Sequence, residues 1–129
     1  MATFLHTMYR VTDPARSRSF YEALGFEFRR EFDIARNGEV EATLYFFAMP
    51  GEDVELELTF NHTGETYEPG TAYGHIAIGV DDLDATLAAL AGQGIEPEKP
   101  PYQVRDGGSR LCFVRDPDQY RIEIIERRA

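Results

Sequence analysis

Tyr73-Gly74-His75-Ile76-Ala77-Ile78-Gly79-Val80 is the stretch whose reading decides the fold. Ile76, Ile78 and Val80 fall on one side and His75, Ala77 and Gly79 on the other, the alternation of a half-buried β-strand. With only Ala77 and Gly79 beside it, the imidazole at the head of the small-residue side looks into open space. The arrangement occurs twice. His6 is followed five residues on by Val11 and seven on by Asp13, and His75 by Val80 and Asp82 at the same offsets. Nineteen residues beyond each histidine comes a glycine, Gly25 or Gly94, then Phe26 or Ile95, then Glu27 or Glu96. Such self-similarity argues for an internal duplication.

The 129 residues suit one compact domain, or two small half-domains sharing a core. With 43% hydrophobic and 12% aromatic residues the chain can bury a core. A formal net charge of -10 and a pI near 4.7 count against nucleic acid and membrane surfaces as partners. No apolar run is long enough to span a bilayer. Met1 to Leu5 lead straight into strand pattern, so no secretory leader is expected. The single cysteine, Cys112, lies in an apolar run and reads as a core thiol in a reducing cytoplasm.

From the first histidine outward, Phe4 to Val11 predicts a strand with His6, Met8 and Arg10 on one face. Asp13-Pro14 supplies an N-cap and a proline at the first helical position. The helix then runs to about Leu24, with Gly25 as its stop. Strands are expected around 27–34, 41–48 and 54–60, broken at Asn37-Gly38 and Pro50-Gly51. In the last of these Glu55, Glu57, Thr59 and Asn61 share a face. The polar segment from His62 onward reads as a linker, with His62 itself solvated. The second half repeats the order: a strand over 74–80, then a helix capped by Asp81 or Asp82 with Leu83, Leu87, Leu90 and Ala91 as its apolar stripe. Short strands near 95–98, 110–115 and 120–125 follow. The class is α+β, two βαβββ modules at 1–61 and 74–129 joined by a linker at 62–73.

The strand faces opposite the aliphatic rows carry His6 and Glu57 in the first half, His75 and Glu123 in the second. Each alone is unremarkable. Together, at matched positions of a duplicated unit, they predict one divalent ion held by two imidazoles and two carboxylates. Such a donor set suits Ni²⁺, Co²⁺ or Zn²⁺ and leaves two octahedral positions for water or substrate oxygens.

Leu5-His6-Thr7-Met8, Glu57-Leu58-Thr59-Phe60-Asn61, Gly70 through Ala77, and Asp116-Pro117-Asp118 through Glu123 resemble glyoxalase I (lactoylglutathione lyase) of the vicinal oxygen chelate superfamily. The resemblance covers essentially the whole chain. It implies sheets forming a cupped half-barrel completed across a homodimer, with His6 and Glu57 from one chain and His75 and Glu123 from the other at each interfacial metal. Among the candidate ions it favours nickel. The implied substrate is the hemithioacetal of methylglyoxal and glutathione, isomerised to S-D-lactoylglutathione through an ene-diolate. Glu123 would be the base, with Glu57 able to serve the other enantiomer or the reprotonation.

Glutathione carries two carboxylates, so an acidic protein must place positive charge locally. The resemblance assigns its glutamyl end to Arg10 and Asn61 and its second carboxylate to the loop holding Arg105 and Arg110. Two departures stand out. Arg105 through Arg110 lacks the usual lysine-glycine pattern, which leaves room for a different thiol. Gln119 replaces the glycine usual in Asp-Pro-Asp-Gly-Tyr, at a cost of about 1–2 kcal/mol if that position needs positive φ. An extradiol dioxygenase on the same fold would use two histidines and one glutamate, and Glu57 is one carboxylate too many. A methylmalonyl-coenzyme A epimerase would have an amide in one carboxylate slot, and a drug-sequestering protein would need no ligands at all.

Overall fold

The computed structural model describes residues 1–127. Residues 128 and 129, which the sequence reading includes in the second module, lie outside the described residues. The chain divides into two compact units, with the boundary between Glu68 and Pro69.

In the first unit β1 (His6–Arg10) leads to α1 (Pro14–Ala23), then to β2 (Glu27–Arg36), β3 (Glu39–Ala48) and β4 (Glu55–Asn61). Local chemistry sets the helix ends. The Asp13 carboxylate accepts from the Arg16 N–H at 3.2 Å, and Gly25 at φ 107° turns the chain out beyond the C-cap Leu24. Asn37 and Gly38, both at positive φ, make a two-residue turn between β2 and β3 whose twist matches its strands. The sheet order is β1-β4-β3-β2, with β1 parallel to β4 and the other pairs antiparallel. Tyr9, Phe20, Tyr21, Phe47, Leu56 and Leu58 are buried in its core.

The second unit repeats this plan. β5 (His75–Val80), α2 (Leu83–Ala91), β6 (Tyr102–Gln103), β7 (Arg110–Arg115) and β8 (Arg121–Glu126) give the order β5-β8-β7-β6, again with one parallel pair, β5 to β8. Asp82, not Asp81, caps α2, accepting from the Ala85 N–H at 3.0 Å. A second acceptor comes from the sheet: the buried Glu126 carboxylate takes the Leu83 N–H at 2.9 Å. Ile78, Leu83, Leu90, Cys112, Val114, Ile122 and Ile124 are buried.

One expected strand is displaced. Residues 95–98 are not extended in a ladder, and β6 forms only at Tyr102–Gln103. Pro97, Pro100 and Pro101 lack N–H donors, and the backbone of the segment meets β7 through the Glu98 N–H, which donates to the Phe113 carbonyl at 2.8 Å. None of the described helices is long and apolar enough to cross a membrane.

Candidate metal centre

Register places the chemistry. In the parallel pair β1–β4, His6 lies opposite Glu55, two residues before Glu57. In β5–β8, His75 lies opposite Arg121, two residues before Glu123. Side chains two apart on a strand share a face, so each sheet sets an imidazole beside a carboxylate by the same construction. The distances agree: His6 Nε2 to Glu57 Oε1 is 3.2 Å, and His75 Nε2 to Glu123 Oε1 is 3.0 Å. The carboxylates are the sheltered partners, their side chains 10% and 16% exposed against 40% and 35% for the imidazoles.

This spacing fits a shared cation. Two ligand atoms at right angles, each about 2.1 Å from an ion, stand about 3.0 Å apart. Imidazole nitrogen with carboxylate oxygen is a donor pair for Ni²⁺, Co²⁺ or Zn²⁺. Each unit supplies two such donors, and among the described residues no group of three or more His, Cys, Asp or Glu side chains gathers to hold a metal.

Each pair stands on a phenylalanine that sequence reasoning missed. Glu57 pairs across the ladder with Phe46, and Glu123 with Phe113. The His6 ring meets Phe46 edge-on at 6.0 Å, and the His75 ring meets Phe113 edge-on at 4.9 Å. A guanidinium covers each phenylalanine: Arg30 lies 4.0 Å from the Phe46 centroid and Arg121 3.9 Å from that of Phe113. Each arginine is in turn fixed by a forked carboxylate contact, Arg30 with Glu55 and Arg121 with Glu98. The signal was in the sequence, an aromatic on the strand antiparallel to each glutamate, but it becomes visible only with the register known. On the first sheet Ala42, Leu44 and Phe46 form a buried apolar cluster opposite Asn61, Thr59 and Glu57.

The halves differ in one hydrogen bond. Thr59 Oγ1 donates to Glu57 Oε2 at 2.6 Å. The residue two beyond Glu123 is Ile125, which has no donor to offer.

The remaining expected residues are scattered in role. Arg10, opposite Thr59 in the register, is exposed on the His6 face. Asn61 donates to the Tyr67 hydroxyl at 3.0 Å. Arg110 is held by Glu126 and by Asp84, at 3.2 and 3.0 Å, and these bonds push its pKa further up. Arg105 sits in the exposed turn before β7. His62 is exposed as expected but not merely solvated: its Nε2 lies 2.8 Å from Thr43 Oγ1, which donates to Asp33. Cys112 is fully buried, and burial pushes its thiol up.

Comparison with known proteins agrees with this architecture. Residues 3–124 match the family model described as Glyoxalase/Bleomycin resistance protein/Dioxygenase superfamily. The chain is 44% identical to the lactoylglutathione lyase of Haemophilus influenzae, over 97% of this chain and 93% of that one. The trypanothione-dependent glyoxalase I of Leishmania major superposes with a TM-score of 0.78 at 36% identity, over 98% of this chain and 87% of that one. Glyoxalase I from Zea mays gives a TM-score of 0.86 at 31% identity; the match covers 98% of this chain but only 45% of the maize chain, so this chain spans under half that protein's length. Paired βαβββ sheets, a histidine and a glutamate in the same relative register in each, and a match from residue 3 to 124 lead to one conclusion: the chain belongs to the Glyoxalase/Bleomycin resistance protein/Dioxygenase superfamily.

Proposed function

We propose that this chain is a glyoxalase I, a carbon–sulfur lyase that isomerises the hemithioacetal of methylglyoxal and glutathione to S-D-lactoylglutathione. The observation that carries the reading is the duplicated imidazole–carboxylate pair, 3.2 Å in one unit and 3.0 Å in the other. Two donors per unit make half of a four-ligand set, which supports a homodimer in which His6 and Glu57 of one copy and His75 and Glu123 of another hold one ion. Phe32, Ile34 and Val40, 48%, 44% and 41% exposed, offer apolar surface for such a contact. The two half-barrels would then close around the site. Nickel is the ion we assign, with cobalt and zinc as alternatives on the same donors. When bound, it supplies Lewis-acid polarisation of the substrate oxygens.

The residues of this chain do the rest. Glu123 takes the proton from C1 of the hemithioacetal, leaving an ene-diolate, and returns a proton to C2. Its freedom supports that role, because no hydroxyl two residues on restrains its second oxygen. Glu57, tied to Thr59, stays as a fixed ligand and serves the second enantiomer or the reprotonation. Phe46 and Phe113 cover one side of each pair, edge-on to the imidazole and across the ladder from the carboxylate. Arg10 and Asn61 receive the glutamyl end of the thiol. Of the two arginines the resemblance offers, Arg110, the first residue of β7, is held by Asp84 and Glu126, whereas Arg105 carries no ion pair among the described residues. The lone buried Cys112 supports the reducing cytoplasm as the place of work.

The test is to strip the protein of metal, titrate it with Ni²⁺, Co²⁺ and Zn²⁺, and follow thioester formation from methylglyoxal with glutathione and with other thiols. Activity that appears with one ion per chain, two in each dimer, and greatest with nickel and glutathione, is expected. A metal-loaded protein that forms no thioester with any thiol would sink the proposal.

A further inference from the structure

The two sheets correspond residue by residue, and the correspondence exposes an exchange. Arg10 lies four residues past His6, and its counterpart four past His75 is Gly79. Asn61 lies four residues past Glu57, and its counterpart four past Glu123 is Arg127. Position by position, the guanidinium of the first half has moved to the neighbouring strand in the second.

Arg127 is seated with care. Its N–H donates to the Val80 carbonyl at 2.7 Å, which extends β8 by one residue. By alternation its side chain shares the face of Glu123 and Ile125. The stem lies across Gly79: Arg127 Cγ is 3.0 Å, and Cβ 3.7 Å, from where a β-carbon on residue 79 would stand. Gly79 is not among the residues at positive φ, so the backbone does not require glycine there; the arginine does. Among the described residues Arg127 makes no ion pair, although Arg18, Arg29, Arg30, Arg36, Arg110, Arg115 and Arg121 each have an acidic partner. In a chain of net charge -10, a guanidinium laid over a site face with no acidic partner among the described residues is available to an outside anion.

We infer that Arg127, lodged over Gly79, binds the glycyl carboxylate of the cosubstrate thiol on the His75–Glu123 face. The inference rests on the glyoxalase I reading. The span is suitable: Gly79 pairs with Ile125, two residues past Glu123, so the stem sits about 7 Å along the sheet from the reacting centre, the length of an extended two-residue peptide arm.

The test measures binding by calorimetry on the nickel-loaded protein, with S-hexylglutathione and the same compound bearing an amide in place of its glycyl carboxylate. The unaltered protein is expected to bind the carboxylate form about tenfold tighter. Arg127→Gln should bind both forms alike. Gly79→Ala, which keeps the arginine but takes its seat, should lose the same preference. A preference that survives in Arg127→Gln, one lost in Arg105→Gln instead, or one absent from the unaltered protein overturns the assignment. Turnover is read separately. A protein that isomerises no hemithioacetal yet loses its carboxylate preference with Arg127 keeps the subsite and loses the lyase; one that turns over without any preference does the reverse.

Discussion

Glu57 and Glu123 hold one position in a duplicated plan and differ by a single hydroxyl. Thr59 fixes an oxygen of the first, and Ile125 cannot do so for the second. Glu123→Gln should therefore lower turnover by about 10²–10⁴-fold with the fold and dimer intact, as loss of a general base does. Circular dichroism and gel filtration beside the thioester assay check this. Thr59→Val should weaken nickel binding by about tenfold, and Thr59→Ser should restore it, because groups that orient ligands contribute on that scale. Equal nickel affinity in all three proteins would remove Thr59 from that role. Gln119 stands at φ 75° in a turn where the Asp116 carboxylate accepts from the Asp118 and Tyr120 N–H groups. The positive φ expected from the missing glycine is thus present, and Gln119→Gly should stabilise the protein by about 1 kcal/mol in urea unfolding. His6, Glu57, His75 and Glu123 were legible as candidate ligands because they stand at matched positions of a duplicated unit. Phe46, Phe113 and Arg127 were not, because their meaning lies in cross-strand partners that no linear spacing reveals.

Among the elements, those bounded by explicit local chemistry were the ones the sequence disclosed. Asp13-Pro14, Asn37-Gly38 and Asp82 each dictate a backbone conformation, and the boundaries fall beside them. The strand expected at 95–98 does not form because Pro97 has no N–H to give a ladder and Pro100-Pro101 follow directly after. What holds that irregular segment is Glu98, bonded to Arg121 at 2.8 Å and to Arg115 at 3.0 Å. The Arg121 hydrogen bond above all, then both guanidinium charges, keep the Glu98 carboxyl below its ordinary 4.5. A depressed folded-state pKa gives stability that is complete above the unfolded value and lost as pH falls through the folded one. The stability difference between the unaltered protein and Glu98→Gln should therefore be full at neutral pH and shrink on acidification below about pH 4.5. A difference unchanged down to pH 3 would mean that the ion pairs contribute nothing. Solvent and salt reach this group, so the effect should also weaken in high salt.

For the molecule as a whole, duplication explains why each half carries one imidazole–carboxylate pair. A sheet with one imidazole and one carboxylate has too few donors to hold a catalytic ion, and the same sheet facing its counterpart has four. Against a net charge of -10, the proposed roles of Arg10 and Arg127 would put positive charge where an anionic thiol approaches. Chelation should abolish turnover and added nickel restore it, and the dimer should be easier to dissociate without metal, since an ion bound between chains stabilises their association. The most direct test of shared coordination is to mix two inactive variants, His6→Ala and His75→Ala, under conditions that let subunits exchange. With sites shared between copies, each mixed dimer regains one intact set of ligands, and random exchange should return about a quarter of the unaltered activity. If each chain held its own ion, no mixture would contain a complete site, and a mixture as inactive as its components would contradict the account.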